Sequence, residues 1–310
     1  MSAAAMDAAP PAGGLAGIDP LFTTDWLTLR EPLDRAARPV ALVQRLAERM
    51  PRGRGLSVVD MGCGTGSNLR ALAPHLPVPQ TWRCIDRDPL LLRELPNRIR
   101  PWAEADGLAM RWEDGDETIL AVEGPDHYRY RIELELRDLS AGADDLPLDG
   151  VDLVTCAALM DLVSAGWLTR MARAVVEAGA PFYAALTYNG MVDFTPVDPL
   201  DEEVIALVNL HQRGDKGFGA ALGPDAPQIM ADAFHALGWQ VATEPSDWDA
   251  GPETVRFQRL LIDDYARAAA EIAPSDRHDA IAAWCDRRLK AVERGHGRLQ
   301  VGHVDLLAHP

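Results

Sequence analysis

The chain has 310 residues, enough for one large domain with insertions or two modest ones, and either size buries a full core. Its 30 Lys and Arg stand against 47 Asp and Glu, and the net charge of -17 argues against a nucleic-acid substrate, because phosphate backbones are bound by releasing counterions with Lys and Arg. The uncharged stretches fall short of the roughly 20 apolar residues of a membrane helix, and four scattered cysteines support neither a zinc cluster nor a disulfide framework, so we expect a cytoplasmic protein with reduced thiols.

Residues 1–19, rich in Ala, Pro and Gly and without the pattern of a secretory signal, read as a disordered leader; residues 20–310 read as a single domain. An N-terminal helical cap is predicted over 20–50. "SVVDMG" (57–62) has the continuous apolar character of a buried strand, "SNLRALAPHL" (67–76) reads as the helix after it, and "TWRCIDRD" (81–88) as a second strand. The next segment, "PLLLRELPNRIRPWAEA", reads as a helix opened by proline and broken near Pro96 or Pro101.

Residues 108–137 carry two period-two runs around "GPD", which predicts a hairpin insertion whose second arm continues into a core strand, while "EDGDE" (113–117) reads as a solvated turn. Strands at 151–159 and 181–189 flank a helix, "SAGWLTRMARAVVEAG". The βαβαβ order predicts an α/β fold, a doubly wound and mostly parallel seven-stranded sheet. Two further helical insertions, a lid at 190–225 after the fifth strand and a block at 252–296, complete the expected plan. Ligands of open α/β sheets sit beyond the carboxyl ends of the strands, which is where the lid falls.

The run "VVDMGCGTGSN" (58–68) points to a nucleotide site. Its glycines, Gly62, Gly64 and Gly66, alternate, and Ser67 stands where a dinucleotide fingerprint needs its third glycine; no Gly-Lys-Ser or Gly-Lys-Thr of a phosphate loop is present. The stretch resembles the first motif of the class I S-adenosylmethionine-dependent methyltransferases, an acid followed by Gly-x-Gly-x-Gly at the end of the first strand. The likeness covers roughly residues 55–190 and resumes at "GWQVATEPSDW". It implies a Rossmann-like methyltransferase fold with S-adenosyl-L-methionine as cofactor and S-adenosyl-L-homocysteine as product. Asp60 is then expected to hold the amino-acid end of the cofactor, with Gly62, Cys63, Gly64, Gly66 and Asn68 forming the turn around it. Asp86, with Arg87, matches the acid that meets the ribose hydroxyls; Asp88 competes for that assignment. Asp138 and Leu139 match the third motif at the adenine edge. Cys156 reads as a core thiol rather than a nucleophile, and is kept among the cofactor contacts by its place in the fourth strand.

Methyl transfer needs in-line positioning, and a base only if the acceptor must lose a proton. Asp161, in "ALMDLVSAGW", is either that base or acceptor contact, or an N-cap for the helix near Ser164. Tyr188, a catalytic candidate along with Asp161 and His211, and Asn189, a candidate substrate contact, end the fifth strand toward the same cleft, unless they only form a strand-end turn. In the lid, His211 and Lys216 suit an anionic acceptor, and Gly217, Phe218 and Gly219 form a loop able to close over it. Trp26, Trp167 and Trp248 are candidates to stack on a planar acceptor. No Pro-Pro-Tyr or Pro-Cys base-handling motif is present, and no acid precedes Asn189 as in metal-dependent catechol-type enzymes, so neither nucleic acid nor a metal is expected. The expected acceptor is a small molecule, methylated on oxygen before nitrogen. A cofactor-binding protein without turnover, or a protein or tRNA methyltransferase, are the rival readings.

Overall fold

A computed structural model describes residues 23–115, 117–124, 128–143 and 145–310. The leader expected at 1–19 and the centre of the "GPD" turn lie outside the described residues. Ten strands form one sheet: β1 (Leu56–Met61), β2 (Gln80–Asp86), β3 (Ala109–Trp112), β4 (Ile119–Glu123), β5 (Tyr128–Leu136), β6 (Leu153–Ala157), β7 (Phe182–Thr195), β8 (Gln240–Pro245), β9 (Trp248–Ala250) and β10 (Arg298–His309). Their order is β3-β4-β5-β2-β1-β6-β7-β10-β8, with β9 paired to β10. β5, β2, β1, β6 and β7 are parallel, and β10 enters antiparallel between β7 and β8. The chain winds outward from β1 in both directions, so the switch point lies between β1 and β6.

Alternation along β1 shows why both faces are covered. Leu56 and Val58 enter one apolar cluster while Val59 and Met61 enter the other, because successive side chains of a strand point to opposite faces. The second cluster is closed by α5 (Ala165–Ala178) and α7 (Ala226–Ala236), which contribute Trp167, Met171, Met230 and Phe234. The first is closed by α1 (Thr24–Ala37), α2 (Val40–Arg49), α3 (Ser67–Leu72), α4 (Pro89–Ala105), α6 (Asp201–Gln212), α8 (Val255–Ile272) and α9 (His278–Glu293), with Trp26, Leu42, Leu95, Val204, Phe257 and Trp284 among the buried residues.

Three details correct the sequence reading. α4 runs unbroken through Pro96 and Pro101, since the buried face Leu91, Leu92, Leu95, Ile99 and Ala103 holds it in place despite the missing N–H donors. The predicted first arm of the hairpin is two strands, β3 and β4, joined where Asp114 receives the N–H groups of Thr118 and Ile119; the meander places β5 against β2 in the core. The sheet is not interrupted at 190, because β7 continues to Thr195, opposite Arg298 of β10.

Candidate functional site

The turn after β1 is a left-handed crossing. Gly62, Gly64 and Gly66 have φ of 65°, 54° and 80°, a region costly for residues with a Cβ. Asp86 Oδ2 receives the Gly64 N–H at 2.8 Å and Asp86 Oδ1 receives that of Asp88 at 2.9 Å, so the acid ending β2 pins the turn ending β1. Burial pushes the Asp86 carboxyl above its usual range, against the pull of these backbone donors. Arg70 of α3 supports the turn from below, donating to the Thr65 carbonyl at 2.7 Å and forming a two-point ion pair with Glu31 of α1. Asp60 is fully buried; its Oδ1 accepts from Asn68 Nδ2 at 2.8 Å while Oδ2 has no partner among the described residues. Burial raises its pKa to about 7.

Above this turn lies a cavity of about 760 Å³, within the range of small-molecule sites. Gly62, Cys63, Gly64, Thr65, Ser67 and Asn68 form its floor, and Asp86, Arg87, Asp88, Asp138, Leu139 and Phe218 its far wall. Asp88 has a local task, receiving the Leu90 N–H as the N-cap of α4. Asp138 likewise receives the Ser140 N–H at 2.9 Å, and the Leu139 carbonyl accepts from Trp167 Nε1 at 2.7 Å. The loop that carries Asp215, Lys216 and Phe218 also borders the cavity. Its Asp215 receives the N–H groups of Gly217 and Gly219, a Cβ on Gly217 would fall 2.8 Å from Arg87 Nη1, and Phe218 meets Trp167 edge-on at 5.4 Å. Backbone bonds from Leu222 to Val163 and from Gly223 to Asp161, both 2.9 Å, tie the end of the lid to the loop after β6.

A second, smaller cavity of about 110 Å³ adjoins the first, sharing Arg30, Ala158, Leu162, His211, Lys216 and Arg267 with it. Its walls combine rings, from Trp26, Trp248, Tyr188, Tyr265 and His303, with charged side chains, from Arg30, Asp161, Lys216, Asp264 and Arg267. Ala158 and Leu186, beyond β6 and within β7, both adopt positive φ there, 51° and 54°, a strain found where a site imposes its own geometry. Asp161 also lines this cavity; its Oδ1 is buried without a partner, and burial raises the carboxyl to about 6 against the pull of Arg30 and Lys216. The N-cap of α5 is Ser164, which accepts from the Trp167 N–H, so Asp161 is not that cap.

The structure therefore gathers most candidate residues but not all. Cys156 is fully buried in the core and lines neither cavity; Ala157 and Ala158 hold the position expected of it, and burial pushes its thiol up. Gly66 is turned away from the cavity, against Leu95 of α4, and its lack of a side chain allows that helix to approach. Asn189 lines neither cavity; its Oδ1 receives the Met191 N–H and lies over Gly302 of β10. Phe218 faces the larger cavity beside Trp167, not the smaller one. Trp167 is buried under the Leu139 strand end, whereas Trp26 and Trp248 do line the smaller cavity. Tyr188 donates to Asn209 Oδ1 at 2.8 Å, and burial followed by Asp161 raises its phenol, which makes it a wall and not a base. His211 Nε2 sits 3.1 Å from Glu271 and its Nδ1 3.4 Å from Lys216 Nζ, so the three form a line that ends at the junction of the cavities.

Residues that the sequence did not reveal are Arg30, Leu27, Arg267, Tyr265 and His303. They come from α1, α8 and β10, outside the motif region, and no local pattern marks them. Among the described residues, no group of three or more His, Cys, Asp or Glu is placed to hold a metal ion, and no helix is long and apolar enough to cross a membrane.

Neither a family model nor a curated protein matches the sequence. Among solved structures, the chain is similar to a cyclopropane-fatty-acyl-phospholipid synthase-like protein from Lactobacillus casei, at 15% identity and a TM-score of 0.50, covering 92% of this chain and 93% of that one. It is also similar to a SAM-dependent methyltransferase from Thiobacillus denitrificans in complex with S-adenosyl-L-homocysteine (15% identity, TM-score 0.43, 93% and 99% covered). A SAM-dependent methyltransferase from Geobacter sulfurreducens, in complex with the same molecule, has 16% identity and a TM-score of 0.41, with 88% and 92% covered.

Proposed function

From a chain with the Rossmann-like fold of the class I S-adenosylmethionine-dependent methyltransferases, we propose an enzyme that methylates a small acceptor, on oxygen before nitrogen. The observation that carries this reading is the pair of adjoining cavities, a large one over the glycine turn and a small one, lined by rings and charged groups, beyond the end of β6 and beside the middle of β7. The residues present suit the cofactor. Asp60 lines neither cavity, so its Oδ2, fully buried and without a partner among the described residues, offers an acceptor to an ordered water beneath the turn and reaches an ammonium group only through it. Gly62 and Gly64 allow close backbone approach, Asp86 faces the cavity for hydroxyl groups, and Asp138, Leu139 and Phe218 form an edge for a flat ring. When bound, the cofactor supplies an electrophilic sulfonium methyl group.

The chain's own residues then do three things. The Glu271–His211–Lys216 line presents a cation at the junction, where Lys216 has no carboxylate partner among the described residues and suits an anionic group on the acceptor. Trp26 and Trp248 give the acceptor an apolar wall, and the loop bearing Lys216 keeps water out of the junction. Asp161 accepts a hydrogen bond from the acceptor and orients it for attack.

The test is incubation of the protein with methyl-labelled S-adenosylmethionine and a cell extract split by size. Label in the small-molecule fraction supports the reading. Label in protein or RNA overturns the choice of acceptor class, and no label despite measured cofactor binding supports a binding protein without turnover.

A further inference from the structure

β10 is not a regular strand beside the small cavity. Its ladder with β7 shifts register between Val301 and His303 and again between Val304 and Leu306, and the glycine at the first shift, Gly302, lies against Asn189 with no room for a side chain. Bulges of this kind re-aim a side chain next to a site. Here the residue re-aimed is His303, which lines the small cavity while only 5% exposed, packed at 4.5 Å from the ring of Trp248 and 6.1 Å from that of Tyr188.

The tautomer of the ring is dictated by its surroundings. Nδ1 lies 3.0 Å from the Val301 carbonyl, which can only accept, so Nδ1 carries the hydrogen. A neutral ring of this form has its lone pair on Nε2, and Nε2 makes no hydrogen bond among the described residues. Burial, and then the nearby Arg30 guanidinium, lower its pKa to about 3, so the ring is uncharged at neutral pH. The cavity thus holds Asp161 Oδ1, buried without a partner, and His303 Nε2, which takes part in no hydrogen bond among the described residues. A molecule that satisfies both must bring two X–H groups, one directed to Asp161 and one, the reacting hydroxyl, to His303.

We propose that His303 Nε2 receives the hydroxyl proton of the acceptor as that oxygen is methylated. This assignment rests on the methyltransferase reading above. As the acceptor oxygen forms its bond to the methyl carbon, the pair of the breaking carbon–sulfur bond stays on sulfur. The O–H pair stays on oxygen, and the proton passes to the lone pair of Nε2. The charge in the cavity is conserved, since the positive charge lost from the sulfonium is gained by the imidazolium. Burial and Arg30 disfavour the charged ring before and after the transfer, but a methylated oxonium is a far stronger acid than an imidazolium so disfavoured, and the proton passes downhill to Nε2.

The experiment uses the full chain labelled with ¹⁵N-histidine and saturated with S-adenosyl-L-homocysteine, whose binding is first measured by calorimetry. Long-range ¹⁵N spectra at pH 7 are recorded alone, with phenol and with anisole, and His303→Gln assigns the ring. The expected result is an unprotonated Nε2 that shifts by several ppm toward the protonated value with phenol and stays in place with anisole. An Nε2–H tautomer, or identical spectra with phenol and anisole, overturns the proposal. Failure of the cofactor reading shows separately as absent calorimetric binding, while the tautomer remains measurable. With the labelled acceptor in hand, His303→Gln keeps an acceptor oxygen but takes no proton; we expect cofactor affinity within about twofold and turnover slowed roughly 100-fold or more. Unchanged turnover also overturns it.

Discussion

The N–H of Gly64 donates to Asp86 Oδ2 at 2.8 Å, so the glycine turn and the acid at the end of β2 form one unit of the site. A residue with a branched Cβ at position 64 must adopt φ near 54° and meet Leu27. Gly64→Val is therefore expected to abolish cofactor binding, by roughly 100-fold or more, at a folding cost of about 1–3 kcal/mol. Calorimetry with S-adenosyl-L-homocysteine, beside circular dichroism, checks both parts; retained binding would refute the assignment of the turn.

Asp60 gives the site a pH dependence whose sign is set by its raised pKa, about 7 in the folded chain against 3.8 for the free group. Its stabilising contribution is full below the unfolded value and is lost as pH rises through 7, because the ionised carboxylate is buried. Asp60→Asn should then raise the stability of the free protein at pH 8, on the order of 1–4 kcal/mol, with no gain near pH 3. Cofactor binding runs the other way, since an ammonium group favours the carboxylate. Affinity should climb between pH 6 and 8 in the natural chain and stay flat and weak in the variant; a flat profile in both would remove Asp60 from the site.

Glu31 and Arg70 join the N-terminal cap to the glycine turn through a buried ion pair, in which the Arg70 side chain is 3% exposed. Removing the carboxylate strands that guanidinium. Glu31→Ala is expected to destabilise the protein by about 3–5 kcal/mol, measured by urea unfolding, and to weaken the cofactor through Thr65, whose carbonyl Arg70 holds.

Asp161→Asn replaces an unpartnered acceptor with a side chain that also donates. We expect cofactor affinity to be unchanged and kcat/KM for the acceptor to fall roughly 10-fold to 100-fold, about 1.4–2.8 kcal/mol. In the natural chain kcat/KM should rise with pH through about 6, where the carboxylate forms, and this limb should vanish in the variant. A limb that persists in Asp161→Asn would assign it to another group.

Local signals were enough for much of this molecule. The apolar run before Asp60, the alternating glycines and the acid at Asp86 lie within about one βαβ unit, and their meaning depends on spacing along the chain. Strand and helix types followed from periodicity in the same way. Where the reading missed, packing outweighed a local rule: α4 crosses two prolines because its buried leucine face is held by the sheet, and β7 continues past Asn189 because β10 is there to pair with it.

The sequence by itself determined the strand–helix alternation around β1, the position of the glycine turn and the acid at Asp86 that meets it, because each is a consequence of neighbours within a few dozen residues. Only the tertiary structure decided which side chains line the small cavity. Asp161, Tyr188 and Lys216 were legible as candidates, but Arg30, Tyr265 and His303 join them from α1, α8 and β10, and the bulge that turns His303 inward exists only when β10 lies against β7. Contacts between segments so distant are selected by burial and by the pairing of polar groups in three dimensions, and no periodicity along one segment records them.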